Sequence, residues 1–374
     1  MRRDENIEAF FALVRAGLWP NDNPNENHNL NFDGVNWGEV YRLAEEQSVI
    51  GLIADGIDRF KNQAPGFKIP QEWALQFIGA ALQLEQQNKG MNTFIAKLVE
   101  DLRNAGIYTL LVKGQGLAQG YEKPLWRSCG DVDLLLSDDN YQKAKEFLLP
   151  KATFVENEEK HKKHIAMTIN DWMVELHGSL RCGFSSRIDK SLDIIFNDTF
   201  YGGNVRSWYD GGVQVFLLGR ENDVLYVFVH FLNHFYKGGV GLRQICDWCR
   251  VLWSFKDSLN RSFLEARIKE MNLMSEWKTF GEYTVEYLGM DVEAIPLLNE
   301  NAKLKRKTKR INRFILSVGN MGHKRSISKQ ESYLSRKMRS FGQRLVDLLD
   351  HAMIFPVNTL KFFPSIVMNG IRQK

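Results

Sequence analysis

The chain has 374 residues, 44% apolar and 25% charged, which excludes gross disorder and allows about two to three domains with a sizeable core. Its formal charge of +4 hides a split: residues 303–344 hold 14 Lys/Arg and one acid, Glu331, leaving 35 bases and 44 acids elsewhere. No apolar run approaches ~20 residues, no secretory pattern opens the chain and four cysteines are too few for a disulfide framework, so a reducing cytoplasm is the expected compartment.

Helical spacing comes first. Ile7, Phe10, Phe11, Val14 and Leu18 predict a helix over 5–19, followed by a polar, Asn-rich loop over 20–29. A helical stretch is predicted over 37–61, and one or two helices over 71–104, closed by Gly106. Residues 1–105 therefore read as an N-terminal helical region. The period then changes. Strands are predicted over 107–112, 131–136, 164–169, 172–176 and 213–218, with a glycine-rich segment at 113–120 and a helix over 141–149. Residues 106–220 read as a compact α/β unit, 221–300 as a C-terminal helical region, and 301–374 as a basic and apolar helical tail. No internal repeat is visible.

The strongest local signal is Gly130-Asp131-Val132-Asp133-Leu134-Leu135-Leu136. On a strand, positions i and i+2 share a face, so Asp131 and Asp133 stand side by side while Val132 and Leu134 enter a core. Adjacent carboxylates repel unless a cation separates them or one is protonated, and hard oxygen ligands suit Mg²⁺; the bland alternative is two solvated acids at a strand end. The alternating run Trp172-Met173-Val174-Glu175-Leu176-His177 places Glu175 and His177 on one face. If that strand neighbours the first, Glu175 becomes a third carboxylate, and three carboxylates can hold two divalent ions that clamp an in-line phosphoryl transfer. Upstream, Lys113-Gly114-Gln115-Gly116 follows a strand and opens a helix, an arrangement that favours phosphate, although no Walker spacing is present. Arg127, four residues before Asp131, is a candidate phosphate or carboxylate clamp, or else a surface arginine.

These residues resemble a known family. Leu111-Val112-Lys113-Gly114, Tyr121, Arg127-x-x-Gly130-Asp131-Val132-Asp133-Leu134-Leu135 and Val174-Glu175-Leu176-His177 look like the uncharacterised bacterial nucleotidyltransferases of the polymerase-β-like superfamily. Softer matches flank them, in Trp37 to Ala44 and in His230, His234 and Leu242 to Asp247, so the likeness covers roughly residues 35–255. The resemblance implies an α+β or α/β fold: a polymerase-β-like core with a small mixed sheet, flanked by N- and C-terminal helical regions. It also implies transfer of a nucleotidyl group from a nucleoside triphosphate with Mg²⁺, or Mn²⁺ in its place. Asp131, Asp133 and Glu175 would be the catalytic, metal-binding carboxylates, and Lys113, Gly114, Gln115 and Arg127 the nucleotide-binding residues. The turn departs from the superfamily, which usually has Gly-Ser or Gly-Gly where this chain has Gly114-Gln115. The acceptor is open: RNA, a protein, a sugar or a small molecule.

Other candidates carry bland alternatives. His230 and His234 share one helical face, as structural or substrate-facing residues; His177 and Arg243 are further substrate-facing candidates. Arg243 and Asp247 are spaced for a helical ion pair. Cys246 and Cys249, with no second pair, read as half-buried helical cysteines rather than zinc ligands. The basic segment 303–344 is either a solvated helix face or a platform for nucleic acid or anionic lipid. Two alternatives to catalysis stand beside it: a non-catalytic nucleic-acid or nucleotide-binding protein on this fold, or a peripheral membrane protein of surface-glycan synthesis.

Overall fold

The opening amphipathic stretch forms α1 (Arg2–Leu18), with Phe10, Leu13 and Val14 fully buried. The structure, a computed structural model, describes residues 2–19, 32–64, 66–161, 163–298, 302–319 and 346–372. The Asn-rich loop at 20–29 and the basic residues from Lys324 to Arg344 lie outside them. Next comes α2 (Trp37–Glu46), capped by Asn36, whose side chain accepts from the Glu39 amide at 3.1 Å. The single stretch expected over 37–61 is two helices. Ser48 adopts a φ of 56°, which ends α2 and turns the chain into α3 (Ile50–Gln63). Residues 71–104 make one helix, α4 (Gln71–Asn104).

The sheet follows. Its parts are β1 (Thr109–Val112), the short α5 (Gly114–Ala118), β2 (Asp131–Leu136), α6 (Asp138–Leu148), β3 (Phe154–Val155), β4 (His164–Ile169), β5 (Trp172–His177), α7 (Ser186–Phe200), β6 (Val205–Asp210) and β7 (Val213–Leu218). The strand order is β3-β4-β5-β2-β1-β7-β6. Pairs β2/β5 and β1/β7 run parallel and the others antiparallel, so the seven-stranded sheet is mixed and the fold is mixed α/β. Three of these elements were not expected: the two-residue β3, β6 and α7. Strand β6 has no buried residue and so lacks the apolar alternation of a core strand. Helix α7 buries Ile188, Leu192 and Ile195 at helical spacing, a signal present in the sequence.

The remaining helices are α8 (Arg220–Lys237), α9 (Leu242–Phe255), α10 (Arg261–Met271), α11 (Met274–Leu288), α12 (Ala302–Val318), α13 (346–354) and α14 (Pro356–Arg372). Among the described residues, none is long and apolar enough to cross a membrane.

Two cores flank the sheet, and β2 divides its side chains between them. Val132, Leu134 and Leu136 pack with Met91, Leu98 and Leu102 of α4 and with Val174 and Leu176 of β5. Leu135 faces the larger helical core, built around Phe228, Phe231, Trp248 and Trp277. Asp131 and Asp133, on the same face as Leu135, are thereby held beneath α8 and α9 rather than in solvent.

Candidate functional site

The parallel register of β2 and β5 sets Asp133 beside Glu175. Asp131, Asp133 and Glu175 can each offer a carboxylate oxygen within 4.8 Å of the others. A cavity of about 150 Å³ opens over them, lined by Lys113, Gly114 and Arg127, by His230 and His234 of α8, and by Arg243 of α9. Sheet and helices thus place acids on the floor and imidazoles and a guanidinium on the roof.

Lys113 ends β1 next to the acids, because β1 runs antiparallel to β2 with Val112 opposite Asp133. Its Nζ lies 2.5 Å from Asp133 Oδ1. Burial, the largest influence, would lower its affinity for a proton, but Asp133 together with Tyr226, Glu175 and Asp131 outweighs burial and raises it, so the ammonium stays charged. The backbone at Lys113 has φ 60° and ψ −150°, a conformation suited to glycine.

The acids are unequal. Repulsion by Asp133, then burial, pushes the Asp131 carboxyl up to about 6. Burial would also raise Glu175, but hydrogen bonds from His164 and His177 hold it well below the usual carboxylate range. His164 Nε2 stands 3.1 Å and His177 Nε2 3.3 Å from Glu175 Oε2, and His177 Nε2 stands 2.8 Å from Asp133 Oδ1. Burial opposes the charge on His177, yet those two carboxylates raise its affinity for a proton. On the roof, burial pushes His230 well below the ordinary imidazole value and His234 down to about 4. Both are neutral at pH 7, and their Nε2 atoms lie 3.1 Å apart. Tyr226, one turn before His230, is raised to about 12, chiefly by burial.

Several expected site residues stand elsewhere than their spacing suggested. Gln115 is buried, with its amide donating to Asn88 Oδ1 at 2.8 Å, so it serves the packing of α5 on α4. Arg127 is not a surface arginine but a carboxylate clamp, one of the two roles expected for it. It clamps Asp247, Nε to Oδ1 and Nη2 to Oδ2 both at 2.7 Å, while its Nη1 donates to the Ser128 carbonyl at 3.1 Å. The helical pair expected between Arg243 and Asp247 is replaced by that clamp, which Tyr121 joins by donating to Asp247 at 2.7 Å. Arg243 instead donates from Nη1 to the Ser128 carbonyl at 2.6 Å, and its buried Nε has no hydrogen-bond partner among the described residues. Cys246 and Cys249 are fully buried, more so than expected, and unpaired with each other.

His164 was not singled out from sequence. Its signal is the two-residue loop Asn170-Asp171, with φ of 48° and 67°, which makes β4 and β5 a tight hairpin. Counting outward from that loop pairs Ile169 with Trp172 and, five steps on, His164 with His177.

The donor set suits a divalent cation. Three carboxylates converge on one place, and Asp131, raised by Asp133 in spite of Lys113 and Arg243, registers their mutual repulsion.

One solved structure, an antigenic nucleotidyltransferase-like protein from Paracoccidioides brasiliensis, is similar at 14% identity, covering 54% of this chain and 93% of its own, with a TM-score of 0.33. A search of curated proteins finds no match. The model of a family described as uncharacterised nucleotidyltransferase matches residues 33–289, more than half of the chain and the whole of the acid-bearing sheet. The chain belongs to that uncharacterised nucleotidyltransferase family.

Proposed function

We propose that the cleft under α8 and α9 transfers a nucleoside monophosphate from a nucleoside triphosphate to an acceptor hydroxyl, on a polymerase-β-like core. The observation that carries this reading is the convergence of Asp131, Asp133 and Glu175 on two neighbouring parallel strands, below Lys113 and Arg243. The acceptor oxygen forms a bond to the α-phosphorus as the bond to the bridging oxygen breaks, and pyrophosphate leaves. Asp131, Asp133 and Glu175 would hold Mg²⁺, or Mn²⁺ in its place, which when bound neutralises the phosphates and activates the acceptor oxygen. Arg243 supplies the partnerless Nε as a donor to a phosphate oxygen, and Lys113 supplies a fixed charge. The neutral His230 and His234 contribute hydrogen bonds rather than charge. Arg127 acts at one remove, by holding Asp247 and the start of β2 in place.

The test is pyrophosphate release from each nucleoside triphosphate with Mg²⁺ or Mn²⁺, scored with RNA, protein and sugar acceptors. Asp131→Asn and Glu175→Gln are expected to lower kcat at least a hundredfold. Equal turnover by wild type and both variants would remove the cleft from the chemistry.

A second reading concerns a different face. Val346, Leu349, Met353, Val357, Leu360 and Phe363 make an exposed apolar stripe along α13 and α14, from 37% to 74% accessible. Beside it, α12 buries Ile311, Phe314, Ile315 and Val318 and turns Lys305, Arg306, Lys309 and Arg310 outward. Arg310 reaches Met353, Nη1 to Sδ at 2.9 Å, so the basic and apolar surfaces are continuous. This pairing favours an anionic bilayer over nucleic acid for the tail, because nucleic acid has no use for the apolar stripe. Co-sedimentation with phosphatidylserine vesicles should fall at least tenfold in Leu349→Glu/Leu360→Glu. Retention by neutral and anionic vesicles alike would count against it.

A further inference from the structure

Along the same sheet face, beyond the oxygen-rich end of the cleft, the ligand chemistry changes. His164 and His177 are direct cross-strand partners on β4 and β5, with ring centroids 4.8 Å apart. Glu175 precedes His177 by two residues and shares its face, so all three side chains stand together. His164 Nε2, Glu175 Oε2 and His177 Nε2 form a second group whose ligand atoms lie within 4.8 Å of one another. The edges are 3.1 Å from His164 to Glu175 and 3.3 Å from His177 to Glu175. A tetrahedral zinc site with ligand bonds near 2.0–2.1 Å has edges of about 3.3 Å, so the two edges that meet at Glu175 already have the length such a site needs.

We propose that His164, His177 and Glu175 bind a zinc-class divalent cation, at a site that shares Glu175 with the oxygen site of Asp131 and Asp133 but takes its other two ligands from imidazoles. Imidazole nitrogen favours Zn²⁺ and Co²⁺ over Mg²⁺, which prefers an all-oxygen shell. Three protein ligands leave a fourth position open to water or substrate, as in catalytic rather than structural zinc sites. The hairpin supplies the rigidity, since all three ligands stand on its two strands, fixed by one tight turn and a ladder of backbone pairs. The side chains of His164 and His177 are 24% and 13% exposed, so an ion reaches them from solvent without the sheet opening. The reading rests on the division of this face into an oxygen end and a nitrogen end; it does not require that nucleotidyl transfer occurs.

The experiment uses the full chain, free of any histidine tag and stripped with a chelator. Zn²⁺ is titrated against a chromophoric indicator, and Co²⁺ is added separately to read ligand-field absorption in the visible. Wild type is expected to take one equivalent of Zn²⁺ that a thousandfold excess of Mg²⁺ does not displace, and to give the intense bands of four-coordinate Co²⁺. His164→Ala and His164→Gln should each weaken Zn²⁺ by more than about a hundredfold, since losing a ligand exceeds the 10–100-fold effect of losing a ligand's supporting partner. Asp131→Asn should leave Zn²⁺ affinity within about threefold while abolishing transfer, so the two readings fail separately. Equal Zn²⁺ affinity in wild type and both His164 variants, six-coordinate Co²⁺ absorption, or displacement by Mg²⁺ would each overturn the proposal. The two histidines would then be hydrogen-bond donors to Glu175 only.

Discussion

Asp131→Asn should make the cation-free protein more stable, although it removes a residue assigned to the chemistry. Repulsion by Asp133, followed by burial, holds the Asp131 carboxyl near 6, against an ordinary value of 3.8. That difference is worth about 3 kcal/mol against the ionised form, which solvent screening of a partly exposed carboxylate trims to about 1–3 kcal/mol. The sign follows from linkage. The folded chain holds this proton more tightly than the unfolded chain, so wild type loses stability as pH rises from about 4 to about 6 and stays at the lower level above it. An amide carries no charge at any of these pH values. The variant should therefore match wild type near pH 4 and exceed it by about 1–3 kcal/mol at pH 8, or about 1–4 °C in Tm for a chain of this size. The assay is differential scanning calorimetry of both proteins in chelator from pH 4.5 to 8. Added Mg²⁺ should then narrow the gap by stabilising only the wild type. Equal melting at pH 8, or a gap that widens toward acid, would refute the view that Asp133 repels the Asp131 carboxylate in the cation-free site.

Arg127→Ala leaves Asp247 buried without its guanidinium and is expected to cost about 3–5 kcal/mol, seen as a lowered unfolding midpoint, with Arg127→Lys recovering only part because it cannot make both 2.7 Å contacts. In NMR spectra His234 should titrate at about 4 and His230 well below the ordinary imidazole value, and because their folded forms resist protonation, stability should fall as pH drops below about 6.5; imidazole signals titrating near 6.5 would contradict their burial. Gly51→Ala should destabilise by about 1–3 kcal/mol, since a Cβ there would clash with the Trp126 carbonyl oxygen and push on the segment that leads into Arg127; an unchanged Tm would show that this segment yields freely.

Much of the sheet was legible because its strands carry clean signals. Asp131–Leu136 alternates acid and apolar residues at its start, and Trp172–His177 alternates throughout. What periodicity could not give was pairing. That β5 lies beside β2, although α6, β3 and β4 intervene in the chain, is set by the packing of Val132, Leu134, Val174 and Leu176 in one core, a long-range fact. The partner of the Arg127 clamp was hidden for the same reason: Asp247 is 120 residues away. The 37–61 stretch was read as continuous because Ser48 is an ordinary residue in an unusual conformation, and only the surrounding packing makes that turn worthwhile. His164 was within reach, because a two-residue loop fixes a hairpin register and the residues on each side of Asn170-Asp171 could have been counted off.

The ion pair between Lys113 and Asp133 has a consequence for how this sequence can drift. Glycine at 113 would relax the backbone, yet it would strand a carboxylate that is only 1% exposed. Replacing Asp133 by an apolar residue would strand a buried ammonium in turn. Each single step is downhill in stability and only the joint replacement is tolerable, which is the signature of strong epistasis between positions in contact. A descendant that abandons the chemistry would therefore shed both residues together or keep both as a relic, and the pair at 113 and 133 can serve as a marker of which members of such a lineage have changed occupation.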